Sequence, residues 1–416
     1  MYFKRSQYNL VKIVLYMLAI FPLADAASGM VLQGGISYGQ ESLPIGIIFR
    51  LILSALIIGS IIIYKNWQAI SISFAICFGG TLTVILVQGI VYDYSFAQLI
   101  NEGRIFGKYI VWAVIIVFFY SYRQLISKET LTQVTNISNL LLILGLIIPK
   151  LLGVGTNTYD GTVGFKGWYY GPNDTTYCLA FLTIFLVLTV QINRPNRRNV
   201  LLFCLYFGDL WALLIIGTKM GLLALVMSVV ILVIRALQTW TLPILLIVIL
   251  DIAAAIGIVI YFYGASIYET VFLPNIKRIQ YFYQLYNGDV LRVLFSDRLG
   301  RTSNDLAILA TKMKNFELLN FIGYGYDFRK FIIVEAEGLI EMDFIDTFFS
   351  YGYLGLMFLI TFVVTVFRKI NILQNKSIFA LFLMSIIYAN IAGHVLYSAM
   401  AGTTLGMLCG FLLVEG

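Results

Sequence analysis

The sequence predicts an all-α protein, a polytopic bundle of about twelve transmembrane helices with one large helical loop outside the membrane. Hydrophobic residues make up 60% of the 416 residues and charged residues only 12%, and no soluble domain can bury that much apolar surface. Apolar stretches of about 15–24 residues recur along the chain, without the alternation that a membrane β-barrel requires. The chain is therefore expected to cross a membrane many times.

Each stretch is close to the length of one helical crossing. In chain order the stretches lie at residues 10–24, 44–64, 68–91, 106–120, 134–152, 176–192, 200–217, 220–234, 241–263, 346–367, 378–397 and 399–414.

The first stretch has two interpretations. Basic residues precede it and it ends in the sequence ADA at residues 24–26, as in a cleavable signal peptide. We interpret it instead as a short first transmembrane helix, because multispanning proteins rarely need a cleaved leader. In both interpretations the N-terminus starts in the cytoplasm.

The distribution of basic residues sets the expected orientation, because Lys and Arg concentrate in cytoplasmic connections. With the N-terminus inside, the first outer connection, residues 25–43, contains no Lys or Arg. The inner connections then carry Lys65, Arg123, Lys128, Arg194, Arg197, Arg198, Arg235, Arg368, Lys369 and Lys376. Both termini are therefore predicted to be cytoplasmic.

The chain divides into three predicted parts. Residues 1–264 form an N-terminal transmembrane bundle of about nine helices, and residues 346–416 form the C-terminal transmembrane helices. Between them, residues 265–345, here called the cap segment, hold nine basic and ten acidic residues. Apolar residues recur at helical spacing in the cap segment, so we expect it to form a small helical cap on the outer face.

Several charged residues lie inside apolar stretches or at their ends, where a charge is costly and often functional. Arg50, Lys150 and Lys219 fall toward the outer side, and Arg278, Arg298 and Arg301 of the cap segment join them there. They could form one outward-facing basic site, although a long cation near a helix end can also extend to the membrane surface. Asp209 and Asp251 fall in mid-membrane; Asp209 could pair with a buried cation.

An aromatic cluster precedes the stretch at 176–192. Trp168, Tyr169 and Tyr170 are followed by a turn in which Asn173 or Asp174 could cap the helix. Aromatic rings at such a position can form an ordinary interfacial belt. They can also form a platform for the apolar faces of sugar rings, with Asn173 as a further sugar ligand. Composition leaves both alternatives open.

Other classes of function are disfavoured. The net charge of +7 comes from scattered basic residues, which is not typical of a nucleic-acid-binding surface. The four cysteines, Cys77, Cys178, Cys204 and Cys409, lie in apolar stretches as packing residues would. One histidine and no ligand cluster argue against a metal site. That histidine, His394, is predicted to lie near the outer end of its helix. It could form a helix–helix hydrogen bond or act as a catalytic group.

Three stretches together resemble the family of O-antigen ligases and polysaccharide repeat-unit polymerases, over roughly residues 150–400. The first is YYGPNDTTY, and the second is LLIIGTKMGLLAL at residues 213–225, where relatives carry a Ser/Thr-Arg pair. The third is FSDRLGRTSNDLAILATKMKNFELLNFIGYGYD followed by VEAEGLIEMDFIDTFFSYGYLG. In relatives this third stretch contains an arginine, a Gly-x-Gly turn, and a polar residue eleven before a Gly-x-x-Gly.

The departures from that pattern bear on function. O-antigen ligases carry a His-Asn, His-Ser or His-Gln pair where this chain has Glu341 and Met342, so the site looks more like that of repeat-unit polymerases. Lys219 replaces the usual arginine, which puts a bidentate phosphate contact in doubt. Arg298 best matches the loop arginine, and Arg301 is the alternative.

The resemblance implies a GT-C-like glycosyltransferase in a bacterial cytoplasmic membrane, with no cofactor and no metal. The donor would be a glycan on undecaprenyl pyrophosphate and the acceptor the next lipid-linked repeat unit, giving capsule, exopolysaccharide or O-antigen. Membrane lipid, a flippase and a chain-length regulator of the same pathway are the expected partners. The alternatives are an O-antigen-type ligase and a lipid-linked oligosaccharide flippase.

The resemblance also implies roles for the candidate residues. Cations would stabilise the departing pyrophosphate; these are Arg298, Lys219, Arg278, Arg301 and Arg50. The acceptor hydroxyl needs a base, for which the candidates are Glu341, Asp343 and His394. Alternatively, Glu341 and Asp343 form salt bridges with arginines of the cap segment and only hold it in place.

Overall fold

The computed structural model describes residues 5–34, 44–158, 164–192, 196–239, 273–295, 317–326, 340–391 and 393–414, and a few single residues between 261 and 307, among them Arg298. It is 81% helical, which confirms the all-α class. The helices are α1 (Arg5–Gln33), α2 (Ile45–Ile63), α3 (Ala69–Val91), α4 (Phe96–Tyr109), α5 (Val111–Ser121), α6 (Lys128–Leu151), α7 (Pro172–Thr189), α8 (Arg197–Ile216), α9 (Lys219–Thr239), α10 (Leu273–Leu285), α11 (Val290–Phe295), α12 (Glu317–Ile322), α13 (Asp343–Phe367), α14 (Lys376–Ile391) and α15 (Ala399–Leu413). Strands β1 (Thr156–Asn157) and β2 (Phe165–Gly167) form a small antiparallel pair before α7.

Seven helices within the described ranges are long and apolar enough to cross a membrane, and an eighth crossing results if α4 and α5 form one bent span. Each predicted span coincides with a described helix, except that 241–263 lies almost wholly outside the described residues. The structure therefore fits a polytopic bundle.

Three predicted boundaries were wrong. The first helix is not short: α1 runs for 29 residues and continues through the ADA sequence at residues 24–26. The span at 106–120 is instead a bent pair, in which α4 meets α5 at 41°. The span at 378–397 ends at Ile391, so the residues after Gly393 form a connection to α15.

The centre of the bundle consists of α5, α7 and α15. Residues 111–119, 175–187 and 400–413 are buried without interruption. A helix that is apolar and buried on every side belongs at the core of a bundle. α15 packs against both α5 and α7.

Small residues allow α15 to approach α5 closely. Gly402, Gly406 and Gly410 face α5, and a Cβ at Gly406 would lie 2.7 Å from Cβ of Ile115. This confirms the close-packing face that the four-residue glycine repeat predicts.

Two of the central helices, α5 and α15, and the neighbouring helix α14 are short. At about 1.5 Å per residue, α5, α14 and α15 have lengths of about 16, 24 and 22 Å, whereas the apolar layer of a membrane is about 30 Å thick. Helices that stop short of the layer leave a depression at one end of the bundle. The depression lies at the end that contains the connection between α14 and α15.

The mid-membrane carboxylate of Asp209 has an amide partner. Asp209 is fully buried on α8, and Asn139 of α6 donates its Nδ2–H to Oδ2 of Asp209 over 2.7 Å. The suggestion of a buried cation as its partner was therefore wrong. Asp251 lies outside the described residues.

Helix α13 is broken at Gly352, and the break is filled by the turn that follows α12. Gly352 has φ 67° and ψ −165°, which is not helical. The N–H groups of Tyr324 and Gly325 donate to the carbonyls of Phe349 and Ser350, both over 2.9 Å. The Gly-x-Gly and Gly-x-x-Gly motifs thus meet at one point of the fold.

Glycine is required where the two backbones touch. Gly323 has φ 72°, and a Cβ on it would lie 2.5 Å from the backbone N of Gly352. Gln88 of α3 contacts the same point from the other side. Its side-chain amide nitrogen, Nε2, donates to the carbonyls of Ile322 (2.5 Å) and Ser350 (2.7 Å). We call this arrangement the glycine clasp.

We expect Gly406→Ala to destabilise the protein. The added Cβ has no room against Ile115, and overpacking of this kind costs about 1–3 kcal/mol. The melting temperature of the purified protein in detergent measures the effect. Gly79→Ala is the matched control, because nothing lies within 4 Å of a Cβ at that helical glycine. Equal melting temperatures for the two variants would contradict the close packing of α15 on α5.

We expect Gln88→Leu to weaken the glycine clasp, because the buried carbonyl of Ile322 loses this donor at a cost of about 1–3 kcal/mol and the carbonyl of Ser350 keeps only the N–H of Gly325. The variant should melt at lower temperature and should be cleaved faster by protease near residues 317–326. Thr83→Val is the control, since Thr83 is an exposed residue of the same helix. Unchanged melting and cleavage in Gln88→Leu would refute the holding role of Gln88.

Candidate functional site

A cavity of about 450 Å³ lies at the end of the bundle where the central helices stop short; we call it the recess. Its lining comes from α1, α2, α4, the start of α7, Tyr326 and the connection between α14 and α15. Every one of these segments is on the side that the distribution of basic residues predicts to be outside. The charged or titratable groups at the recess, tyrosines apart, are Asp25, Arg104, Lys108, Asp174 and His394.

His394 reaches the recess on the connection between α14 and α15. It was predicted to be inside a helix, and this was wrong: α14 ends at Ile391. The N–H groups of Val395 and Leu396 donate to Oδ2 of Asp343 over 2.9 and 2.7 Å, so they are not available for helical hydrogen bonds. The carboxylate of Asp343 therefore fixes the connection outside a helix.

Asp343 also lies beside the imidazole. Its Oδ1 is 4.0 Å from Nδ1 of His394, which is an ion-pair distance for a protonated histidine and is too long for a hydrogen bond. Asp343 is fully buried and does not line the recess, whereas the side chain of His394 is 22% exposed. Of these two candidate bases, His394 can meet a substrate and Asp343 positions it.

Asp174 stands in the first turn of α7. The helix begins at Pro172 with Gly171 as its N-cap, so the prediction that Asn173 or Asp174 caps the helix was wrong. Proline is favoured at the first helical position, where no N–H is needed. Burial raises the pKa of the Asp174 carboxyl, and interactions with Ser398, His394 and Lys108 lower it. The carboxyl group of Asp174 therefore lies among polar groups of α4 and of the connection before α15.

Arg50 does not line the recess, although its partner does. Arg50 is 1% exposed and forms a bidentate pair with Asp25, at 2.9 and 2.6 Å. Its remaining N–H groups donate to the carbonyls of Gly46 and Ala399 and to Thr403 Oγ1. Arg50 thereby ties α1, α2 and α15 together and holds Asp25 at the recess.

Arg298 and Glu341 form a second ion pair. Nε and Nη2 of Arg298 lie 2.6 and 2.5 Å from Oε2 of Glu341. The two side chains are 11% and 27% exposed, and neither lines the recess. Tyr388 of α14 interacts electrostatically with this pair and with Asp174. This arrangement agrees with the alternative in which Glu341 holds an arginine of the cap segment.

The other predicted pyrophosphate ligands lie elsewhere or cannot be placed. Nζ of Lys219 donates to the carbonyl of Val293 in α11 and lies 4.9 Å from the ring centroid of Phe282. It therefore contacts the cap segment. The side chain of Arg278 and all of Arg301 lie outside the described residues.

The aromatic cluster divides among three environments. Tyr169 is 1% exposed, and its hydroxyl donates to the carbonyl of Leu142 over 3.1 Å. Burial raises the pKa of the Tyr169 hydroxyl well above its usual value, so it stays a donor. Tyr170 is 71% exposed and lines the recess, whereas Trp168 packs against the core and Asn173 is exposed outside the lining. Tyr170 is thus the ring best placed to contact a sugar.

Sequence reasoning missed Arg104 and Lys108. They lie on α4, which was assigned to a loop and to the start of an apolar stretch. Their spacing of four residues places both on one face of a helix, and this signal could have found them. Asp25 appeared in the sequence analysis only as part of the ADA sequence at residues 24–26, and its position at the recess was not predicted.

The arrangement of possible metal ligands bears on the expected metal-independent chemistry. No group of three or more His, Cys, Asp or Glu side chains in the described ranges is placed to hold a metal ion. Metal-independent transfer remains a prediction.

The comparisons with known proteins give a family. Residues 9–243, more than half of the chain, match the model described as O-antigen ligase like membrane protein. No curated protein matches the sequence. The match includes α1 to α9, and the residues Asp25, Arg104, Lys108 and Asp174 of the recess; His394 lies beyond it. The family supports a multi-pass membrane enzyme of O-antigen or polysaccharide assembly. The chain therefore belongs to the O-antigen ligase like membrane protein family.

Proposed function

We propose that this protein polymerises lipid-linked oligosaccharide repeat units on the outer face of a bacterial cytoplasmic membrane, without a metal ion. The donor is a glycan on undecaprenyl pyrophosphate, and the acceptor is a hydroxyl of the next lipid-linked unit. One observation carries the proposal: a single recess in a membrane bundle gathers a histidine, two carboxylates and two cations. Charged groups inside such a bundle are costly and are expected to serve a function.

At the anomeric carbon of the donor sugar, the reaction forms one bond and breaks one. The acceptor oxygen attacks the anomeric carbon of the donor sugar, and the bond from that carbon to the phosphate oxygen breaks. The electron pair leaves with the lipid pyrophosphate, and the acceptor hydroxyl gives its proton to a base. The leaving group needs positive charge nearby more than it needs a general acid.

His394 is the base that we propose. It is the candidate base that lines the recess, and a positioned imidazole is the most frequent general base in enzymes. Asp343 acts through it, because its carboxylate fixes the connection that carries the imidazole. Asp174 lines the same cavity, and we propose that it binds the acceptor hydroxyl.

Glu341 and Arg298 have a different role in this proposal. Their ion pair joins two distant parts of the cap segment and lies outside the lining of the recess; Glu341 stands two residues before α13. We propose that the pair fixes Arg298 to the segment that leads into α13. Tyr170 provides the exposed ring on which a sugar packs.

We expect His394→Gln to lower the rate of chain extension by a factor on the order of 10²–10⁴, because the general base is lost. The assay is extension of a defined lipid-linked repeat unit by the purified protein with a chelator present. Glu341→Gln is the comparison variant, and it should keep most of the rate, since its amide can still accept a hydrogen bond from Arg298. Melting temperatures of both variants show whether they fold.

The outcome can contradict the assignment in two ways. A folded His394→Gln protein that extends chains at the normal rate removes His394 from the mechanism. A loss confined to Glu341→Gln gives the base role to Glu341. The products also separate polymerase from ligase: cells without a polymerase keep single repeat units, and cells without a ligase keep polymer on its carrier lipid.

The outward orientation can be tested with engineered cysteines. Cys204 is exposed and is first replaced by Ala, whereas the other three cysteines are buried. We expect Val154→Cys, at the recess end of the bundle, to react with a membrane-impermeant maleimide in sealed cells. Gln374→Cys, in the exposed turn between α13 and α14, should react only after the cells are opened. The reverse pattern would place the recess in the cytoplasm and end the proposal.

A further inference from the structure

We infer that Asp346 is a positioning residue, which holds the backbone on both sides of Glu341 in a left-handed bend and so presents the Glu341 carboxylate to Arg298. Asp346 is not one of the positions at which the family resemblance places a functional group. The consequence for sugar transfer rests on the proposed function, whereas the bend and the contact with Arg298 can be tested without it.

The backbone of Glu341 has an unusual conformation. Its φ is 66°, in the left-handed region that residues with a Cβ rarely adopt. Glycine enters this region without a steric cost, and Asn and Asp follow because their short side chains can bond to the nearby backbone. The longer side chain of Glu341 is bound to Arg298 instead, with Oε2 2.6 Å from Nε. The bend must therefore be held by another group.

The carboxylate of Asp346 is that group. The N–H of Ile340 donates to Oδ1 of Asp346 over 3.0 Å, and the N–H of Met342 donates to Oδ2 over 3.1 Å. The N–H of Asp346 donates in turn to the carbonyl of Met342 over 2.8 Å. One carboxylate thus binds the residue before Glu341 and the residue after it.

The shape of a carboxylate explains why these contacts require the bend. Its two oxygens are close together, so two N–H groups that bind one oxygen each must converge. In an extended segment the N–H groups of residues i and i+2 are about 6–7 Å apart along the chain. A left-handed residue between them turns the backbone into a concave, anion-binding arrangement. Here the anion in the concavity is a side chain of the protein itself.

Burial makes these contacts necessary for both partners. Asp346 is fully buried, and Ile340, which is 3% exposed, belongs to a small apolar cluster with Tyr324 and Phe349. A buried N–H without an acceptor is unfavourable, and so is a buried carboxylate without donors. The contacts therefore fix the conformation of residues 340–342.

The bend also separates two neighbouring carboxylates. Residues two apart in an extended segment point to the same side, yet Glu341 and Asp343 have different partners. Glu341 is 27% exposed and pairs with Arg298. Asp343 is fully buried and binds the connection before α15. Asp346 thus acts on Arg298 through the backbone of Glu341.

The bend is tested first at Glu341 itself. Glu341→Gly and Glu341→Ala both remove the ion pair with Arg298, so they differ chiefly in backbone preference. We expect Glu341→Gly to melt at the higher temperature in detergent, because glycine adopts a positive φ without strain. Thr83, within α3, is the control position: there the alanine variant should melt higher than the glycine variant, since glycine weakens a helix.

The role of Asp346 is tested with the same two variants. In Asp346→Asn, one carboxylate oxygen becomes an NH2 group, which cannot accept from an N–H. We expect the difference in melting temperature between Glu341→Gly and Glu341→Ala to shrink in this background, and the peptide with residues 340–342 to exchange hydrogen for deuterium faster. Asp209→Asn is the control, because it removes a fully buried carboxylate of α8 and should change neither quantity.

A double-mutant cycle measures whether Asp346 places Glu341 against Arg298. The effects of Glu341→Ala and Arg298→Ala on melting temperature should be non-additive, and this coupling should disappear in Asp346→Asn. If Asp346 only stabilised the start of α13, Asp346→Asn would lower every melting temperature equally and keep the coupling. In the transfer assay, Asp346→Asn should lower the rate by up to about 100-fold and cause no further loss in Arg298→Ala.

Three results would overturn the inference. Equal melting of Glu341→Gly and Glu341→Ala, with the expected order at Thr83, shows that no left-handed bend is imposed. A difference and an exchange rate that Asp346→Asn leaves unchanged show that Asp346 does not hold the bend. Coupling that persists in Asp346→Asn shows that Asp346 does not position the ion pair. If Asp346→Asn fails to fold, Asp346→Glu replaces it, because the extra methylene displaces both oxygens and should reduce the same difference.

The outcomes also separate this inference from the proposed function. A protein that transfers no sugar but passes the melting, exchange and coupling tests keeps the positioning by Asp346 and ends the proposed function. Normal transfer by a folded Asp346→Asn protein that has lost the coupling ends the role of Asp346 in transfer and keeps the proposed function.

Discussion

Backbone groups that end inside an apolar layer need partners within the protein, and this constraint shapes the recess. The connection between α14 and α15 is buried at residues 393 and 395–398, so its N–H groups need partners within the protein. The carboxylate of Asp343 accepts hydrogen bonds from two N–H groups of this connection. The hydroxyl of Ser398 caps α15 by accepting a hydrogen bond from the N–H of Ala401. The polar side chains that end these helices are therefore part of the fold and also border the candidate site.

The same constraint explains the glycine clasp. A helix that breaks at Gly352 exposes carbonyls to the apolar interior, and a second backbone can satisfy them only at very short range. Gly323 permits that approach, and the amide of Gln88 joins the two backbones by donating to the carbonyls of Ile322 and Ser350. The turn is then rigidly attached to α13, and Tyr326, immediately after it, lines the recess. The glycine motifs of the family resemblance thus have a positioning role in this chain.

The sequence predicted the helices well because long apolar stretches are a local signal. It suggested that Glu341 pairs with an arginine of the cap segment, but it could not predict the partner of Arg50, which is set by a contact between distant residues. Arg50 was interpreted as a pyrophosphate ligand, yet Asp25, on another helix, takes its guanidinium. Arg104 and Lys108 escaped notice because α4 is short and only partly apolar, and its position in the wall of the recess depends on its bend against α5. His394 was found, but its connection was mistaken for helix, because the effect of Asp343 on Val395 and Leu396 is not visible in the local sequence.

A cation inside a membrane protein must be compensated. Arg50 and Arg298 are each compensated by a carboxylate of the protein: Arg50 pairs with Asp25 and connects α1, α2 and α15, and Arg298 pairs with Glu341, two residues before α13. Such pairs are costly to separate, because a lone charge in a low-dielectric interior is unfavourable. A bound substrate would therefore gain little from them. The cations of α4, Arg104 and Lys108, border the recess instead, so a ligand that enters the cavity can contact them.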